Sequence, residues 1–133
     1  MNKIFKVGLI GCGHISETYF RAEKYFNNIK IIKCADINHN NALKCAKNFK
    51  IEALTVKELL KDSEIEIILN LTIPKAHYQV AKQALINGKH VYSEKPLAIN
   101  FEDGKDLLKL AKKKKLYIGN ACLLYTSPSP RDE

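Results

Sequence analysis

Two patterns of apolar and polar residues follow each other along the chain. Continuous apolar runs such as Ile65–Leu71 (IEIILNL) are typical of strands buried in a sheet. Between these runs apolar side chains recur every three or four residues, as at Ile15, Tyr19, Ala22 and Phe26, which indicates one face of a helix. The strands predicted in this way are Ile4–Ile10, Ile29–Ala35, Glu52–Thr55, Ile65–Leu71, His90–Ser93 and Leu116–Asn120.

Capping residues indicate where the intervening helices begin and end. Asn38–Asn41 offers side chains that cap a helix start, and Pro74 suits a first helical turn. Asn87-Gly88 is typical of a helix end, and Asn100 with Asp103 resembles a capping pair. The predicted helices are 14–26, one after Asn38–Asn41 that carries Leu43, Ala46 and Phe49, 56–61, 74–87 and one that runs from about 100 to 114.

Strands that alternate with helices at this spacing predict a parallel sheet covered on both faces. We therefore expect a doubly wound, Rossmann-like α/β domain over residues 1–121. The end of the chain, TSPSPRDE, has two prolines and no periodicity. We interpret residues 122–133 as a disordered tail and hypothesise that it is foreign to the gene.

The net charge is +8, from 22 basic and 14 acidic residues, so nucleic acid has to be considered as a partner. The lysines are spread over predicted helices, and the dense run Lys112–Lys115 lies where a helix ends and cations are favourable. Arginine, the better ligand of phosphates and bases, occurs only at Arg21 and Arg131. We therefore interpret the charge as a solvated surface and expect no nucleic-acid partner.

The chain has no apolar run of the roughly 18–20 residues that a membrane helix needs, and its start lacks the apolar region of a secretory signal. We expect a cytoplasmic protein without membrane contact. Cys12, Cys34, Cys45 and Cys122 form no CxxC pair and have no nearby histidine at metal spacing, so no metal site is predicted. Cys12 invites a redox interpretation, but a small buried cysteine is the simpler one.

The first predicted strand leads into Gly11-Cys12-Gly13-His14-Ile15-Ser16, which opens a helix. In the dinucleotide fingerprint the first glycine permits a tight turn and the second lets the backbone approach a pyrophosphate. The N–H groups of the helix start then face the phosphates. Ser16 replaces the third glycine, which normally allows close packing of helix and strand.

Asp36 ends the second predicted strand, where a carboxylate accepts hydrogen bonds from the adenosine ribose. No arginine follows it to offset a 2′-phosphate, which favours NAD over NADP. Two alternatives stay open. One is an ordinary strand–helix turn with Asp36 as a helix cap, and the other is a methyltransferase-type cofactor fold.

Two further segments follow strands, and so face the same crevice of a doubly wound sheet. Thr72 and Pro74 are placed to line a cofactor, whereas the spacing of His77 alone favours a packed helix residue. Glu94 and Lys95 follow the next strand, where a lysine can hydrogen-bond a substrate hydroxyl or carbonyl. The simpler alternative is a turn with both side chains in water.

Together these segments resemble the Gfo/Idh/MocA family, the group of glucose–fructose oxidoreductase and inositol dehydrogenase. The resemblance covers about residues 3–121 and is most specific in the Glu-Lys-Pro segment. It implies an NAD(P)-dependent oxidoreductase that moves a hydride between nicotinamide and a carbon bearing a hydroxyl, on a sugar or cyclitol. The matching segments are Val7–Ser16, Cys34–Asp36, Thr72–His77 and Gly88–Ala98.

The resemblance also implies residue roles. Lys95 approaches the reacting hydroxyl and is the one catalytic candidate. The implied cofactor-binding residues are Gly11, Gly13, His14 and Ile15 at the pyrophosphate, Asp36 at the adenine ribose, Thr72, Pro74 and His77 along the cofactor, and Glu94 beside the nicotinamide ribose.

Members of the family continue into a second domain, which carries most substrate contacts and a histidine acid/base. We expect that domain to be absent here, so that the chain binds NAD(H) weakly and turns over no polyol. The sugar or polyol substrate then belongs to the longer protein, and a homo-oligomeric assembly stays open. The alternative is a non-enzymatic NAD(H) sensor or scaffold, whose oligomeric state would respond to NADH.

Overall fold

A computed structural model describes residues 4–23, 28–93 and 101–120. It describes the backbone alone at His14, Ile15, Glu17, Ala22, Pro74, Phe101 and Asn120. The expectations for residues 94–100 and for the tail after residue 120 lie outside the described residues.

The described strands form one parallel sheet. They are β1 Phe5–Ile10, β2 Ile29–Ala35, β3 Glu52–Ala53, β4 Ile67–Asn70, β5 His90–Ser93 and β6 Ile118–Asn120. Their order across the sheet is β3-β2-β1-β4-β5-β6. Each lies within a predicted strand, and four of them are shorter than predicted.

Helices connect the strands, and two of them begin at residues whose side chains cap the helix. Asn38 is the N-cap of the second helix, and its side chain accepts from the backbone N–H of Asn40. The third helix begins with a capping box between Thr55 and Glu58, which the sequence analysis did not identify. The helices are α1 His14–Glu23, α2 His39–Phe49, α3 Val56–Lys61, α4 Pro74–Ile86 and α5 Phe101–Lys114.

The core has two halves, one on each face of the sheet. Neighbouring strand residues alternate between them, so that Ile10 and Ile68 pack with α3, α4 and α5, while Leu9 and Leu69 pack with α1 and α2. The predicted doubly wound α/β fold is therefore confirmed. Its strand order reverses direction between β1 and β4, the place where such sheets open a crevice for ligands.

No helix in the described part of the chain is long and apolar enough to cross a membrane. The longest described helix, α5, has 14 residues and ends in three lysines.

A lysine with two acids ties β2 to the turn after α3. Lys33 Nζ lies 2.5 Å from Asp62 Oδ2 and 3.0 Å from Glu64 Oε1. The Lys33 and Asp62 side chains are 15% and 16% exposed, so water screens this contact less than a surface pair. The hydrogen bond from Lys33 lowers the pKa of the Asp62 carboxyl below its ordinary value of 3.8.

This contact predicts acid sensitivity. Because the pKa of Asp62 is lower in the folded chain, its stabilisation is present above about pH 4 and is lost as pH falls through the folded value. We expect Lys33→Met to reduce the free energy of unfolding by about 1 kcal/mol at pH 7 and to flatten its decline between pH 5 and pH 2. Urea unfolding across this range measures both effects. Lys30→Met, at an exposed position of the same strand, is the control, and an unaltered pH profile in Lys33→Met would refute the assignment.

Candidate functional site

The carboxyl ends of β1, β2 and β4 lie at one edge of the sheet. The loop Gly11–Gly13 follows β1, Asp36 follows β2 and Thr72 follows β4. Three segments far apart in sequence therefore line the predicted crevice.

Gly11 is the point where the β1 loop contacts the backbone after β4. Its φ of +105° lies in the region that favours glycine, and its N–H donates to the carbonyl of Ala35 at 2.9 Å. A Cβ at this position would lie 2.7 Å from the backbone carbon and oxygen of Leu71. Both the turn and the close approach of the two loops therefore require glycine here.

Gly13 is in the opposite situation. A Cβ there would meet nothing within 4 Å, and the residue is exposed immediately before the first turn of α1. The first turn of a helix has N–H groups without intrahelical partners, which suit an anion. Open space over Gly13 beside these groups fits a pyrophosphate, and the backbone of His14 and Ile15 forms that turn.

Ser16 occupies the third position of the fingerprint as a buried residue, 3% exposed. Its hydroxyl donates to the carbonyl of Gly13 at 2.6 Å. A small side chain whose polar atom is satisfied inside the turn explains how serine replaces glycine here.

Asp36 joins the end of β2 to the glycine loop. Its Oδ2 accepts from the N–H of Cys12 at 2.7 Å, and its Oδ1 accepts from the N–H of Asn38 at 2.8 Å. A carboxylate has about four acceptor positions, so capacity remains for ligand hydroxyls. The next residue, Ile37, is 98% exposed, which leaves the surface beside the carboxylate open.

Asn70, at the end of β4, is a site residue that the sequence analysis missed. It is fully buried, and its Oδ1 accepts from Thr72 Oγ1 at 2.6 Å and from Thr72 N at 3.3 Å. Its Nδ2 donates to the carbonyl of His77 at 3.0 Å. Asn70 therefore fixes the loop between β4 and α4, and a polar residue at the end of an apolar run was the available signal.

The other candidates divide into three groups. Thr72 is half-buried at the crevice edge, and Pro74 begins α4. His77 is 1% exposed, so its side chain is interior here, in agreement with its spacing and not with a place along an open crevice. Glu94 and Lys95 lie outside the described residues.

The fold also brings together three cysteines. The sulfur atoms of Cys12, Cys34 and Cys45 all lie within 4.8 Å of one another, contributed by the glycine loop, β2 and α2. Cys12 is partly exposed, which corrects the expectation of a buried cysteine, while Cys34 and Cys45 are buried. Sequence spacing could not identify the cluster because each residue comes from a different element.

The three thiols influence one another's protonation. Contacts with Cys34 and Cys45, together with burial, raise the pKa of the Cys12 thiol. Hydrogen bonds from Cys12 and Cys34 lower the pKa of Cys45. Cys12 Sγ lies 3.4 Å from the carbonyl oxygen of Ala35, and Cys34 Sγ lies 3.4 Å from that of Ala42. Since a thiol has one proton, each sulfur donates either to its carbonyl or to a neighbouring sulfur.

A doubly wound parallel sheet with a glycine turn after β1 and an acid after β2 defines the class of Rossmann dinucleotide-binding domains. Comparison with known families supports this class. The profile of the oxidoreductase family with NAD-binding Rossmann fold, Gfo/Idh/MocA, matches residues 5–121, and the chain belongs to this family.

Individual proteins give the same picture. An inositol 2-dehydrogenase/D-chiro-inositol 3-dehydrogenase of Lactiplantibacillus plantarum is 30% identical over 83% of the chain and 33% of the relative. A glucose-6-phosphate 3-dehydrogenase of Bacillus subtilis is 35% identical over 74% of the chain and 28% of the relative. A 3-ketoreductase of Actinomadura kijaniata, solved with NADP, has the same fold (TM-score 0.88, 22% identity, 96% of the chain and 40% of that protein). The chain thus spans about a third of the length of these curated relatives.

The two glycines predict unequal effects on stability. Gly11→Ala places a methyl group against the Leu71 backbone and fixes an unfavourable φ, so we expect a loss of about 2–3 kcal/mol in the free energy of unfolding. Gly13→Ala meets open space, and we expect a change within about 0.5 kcal/mol. Urea unfolding of the two variants measures the difference. Equal stabilities would contradict the close approach of Gly11 and Leu71.

Removal of the Asn70 side chain tests the loop after β4. Asn70→Ala removes the side-chain acceptor of Thr72 and a hydrogen bond to the His77 carbonyl, so we expect a loss of about 2–3 kcal/mol. Thr72→Val removes one of these hydrogen bonds, and we expect about 1 kcal/mol. Thermal and urea unfolding measure both. If Thr72→Val lost as much free energy of unfolding as Asn70→Ala, the Thr72 hydroxyl rather than the Asn70 amide would be the group that stabilises the loop.

Proposed function

We propose that the crevice between the glycine loop, Asp36 and Thr72 holds the NAD(H) of this oxidoreductase domain. The observation that carries the proposal is the 2.7 Å hydrogen bond from Cys12 N to Asp36 Oδ2, which joins the fingerprint's turn to its acid. Both parts then face one ligand: the turn its phosphates and the acid its ribose.

Different groups of the chain bind different parts of the cofactor. The open side of Gly13 and the first N–H groups of α1 hold the pyrophosphate. The free acceptor positions of Asp36 hold the adenine ribose hydroxyls, and Thr72, fixed by Asn70, lies on the nicotinamide side. When bound, the cofactor supplies a carbon that accepts or donates hydride.

Asp36 favours NAD over NADP in this proposal. A 2′-phosphate would bring negative charge against the carboxylate, and Ile37, Asn38 and His39 supply no arginine to offset it. NADP is bound by the Actinomadura kijaniata ketoreductase, so the fold itself does not exclude NADP. The choice therefore rests on the residues at the end of β2.

For the whole protein we propose hydride transfer to or from a carbon bearing a hydroxyl, on a sugar or cyclitol. Support comes from the names of the two curated relatives, an inositol dehydrogenase and a sugar-phosphate dehydrogenase. Lys95 is the candidate that would hydrogen-bond the reacting oxygen, with Glu94 beside the nicotinamide ribose. We assign His77 to the interior, since it is buried.

We also propose a cytoplasmic location. Cys12, Cys34 and Cys45 are free thiols although their sulfurs lie within 4.8 Å of one another. Close free thiols are typical of proteins in a reducing compartment.

Cofactor titration tests the binding proposal. We expect NADH to bind the purified chain, and Asp36→Ala to weaken NADH roughly tenfold while it weakens NADPH less, since a repelling carboxylate is also removed. Gly13→Ala should weaken both cofactors, because its methyl group occupies the phosphate position. Calorimetry at constant ionic strength measures the affinities.

Asp106→Ala, on α5, is the matched control, because it removes an acid away from the crevice edge. An equal loss of NADH affinity in the Asp36 and Asp106 variants would show that the loss does not come from a ribose contact of Asp36. Undiminished NADH binding by Asp36→Ala would overturn the assignment of Asp36.

A further inference from the structure

Three thiols from separate elements meet at the glycine loop after β1. Metal–sulfur bonds of about 2.3 Å in a trigonal arrangement place sulfur atoms about 4 Å apart. The cluster of Cys12, Cys34 and Cys45 has all its sulfurs within 4.8 Å of one another, so small side-chain shifts suffice. Its geometry therefore already approximates a three-sulfur ligand set.

The donor chemistry narrows the ion. Sulfur ligands alone favour soft ions such as Cu(I) and Zn(II), whereas carboxylates and carbonyls favour Mg²⁺ and Ca²⁺. Zn(II) prefers four ligands, and among the described residues this group contains three. Cu(I) accepts three ligands, so a three-sulfur set is complete for this ion.

The cluster also has a route to solvent. A surface pocket of about 410 Å³ is bordered by Cys12 and Cys45 together with Gly13, Ser16 and residues of α2. Cys12 is partly exposed, so an ion can reach one sulfur first and the two buried sulfurs afterwards. A metal site needs such an entry path.

We propose that Cys12, Cys34 and Cys45 form a three-thiolate site for a soft monovalent ion, Cu(I). Binding forms three sulfur–copper bonds and releases to solvent the protons of those sulfurs that carry one, without transfer of electrons. The site fixes the glycine loop to β2 and α2 through one ion. It adds to the NAD(H)-binding role and does not depend on it.

Occupancy has a consequence for the cofactor, and this part rests on the proposed function. Three thiolates outweigh the single positive charge of Cu(I), so the filled site places negative charge at the glycine loop that is proposed to bind the phosphates. We expect Cu(I) to weaken NADH binding several-fold and NADH to weaken Cu(I) binding by the same factor.

The test uses the full reduced chain under anaerobic conditions, titrated with Cu(I) against a chromophoric Cu(I) chelator. We expect one Cu(I) per chain, and X-ray absorption that shows three sulfur neighbours. Cys122→Ser is the matched control, since it removes a thiol that is not among the three proposed ligands and should bind Cu(I) unchanged. Cys12→Ser, at the partly exposed position, should weaken Cu(I) at least roughly 100-fold, because loss of outer-shell partners alone costs 10–100-fold.

Circular dichroism of the apo variants separates ligand loss from misfolding. Cys45→Ala serves as a second variant, because alanine conserves a small apolar side chain at that buried position. Equal Cu(I) affinity in Cys12→Ser and Cys122→Ser, or absorption that shows two sulfur neighbours, would overturn the site. If NADH fails to bind the apo chain, the proposed function fails while this Cu(I) test still stands.

Discussion

The contact between the backbone of Gly11 and the backbone of Leu71 is the constraint on which the site depends. It has room for no side chain, since a Cβ would lie 2.7 Å from two Leu71 backbone atoms. This contact sets the loop after β1 against the loop after β4, at the point where the strand order reverses. The crevice is therefore a consequence of two backbones that meet without side chains between them.

Side chains at the strand ends hold the two loops in place beside that contact. Asp36 holds the glycine loop from the β2 side, and Asn70 holds the β4 loop through Thr72. Both are polar residues at the end of apolar strands, and the side-chain oxygens of both accept hydrogen bonds from nearby backbone N–H groups. The same carboxylate that organises the turn is the one proposed to bind the ribose.

Much of this fold could be predicted from the chain. Apolar runs, helical spacing and capping residues located every described strand and helix, because most of these elements bury one face. The runs overstate some strands: Ile65 is buried and apolar, yet β4 begins at Ile67 because the N–H of Ile65 donates to Asp62 in a turn. Burial and strand pairing are different properties, and the sequence pattern reports the first.

The site was predictable where a local motif carries it and not where tertiary contacts assemble it. The Gly11–Ser16 loop and Asp36 have a fixed relation to their strands, so their place followed from order alone. The cysteine cluster draws on a loop, a strand and a helix, and no spacing in the chain encodes that meeting. The burial of His77 likewise follows from how α4 rests on the sheet.

An NMR titration of the ¹⁵N-labelled chain with NAD⁺ tests the central claim most directly, since it locates the ligand without altering the protein. The account predicts amide shifts concentrated at Gly11–Ser16, at Asp36 and Ile37 and at Thr72, the segments at one edge of the sheet. Shifts confined to the face of α4 and α5, or no shifts at saturating NAD⁺, would contradict it.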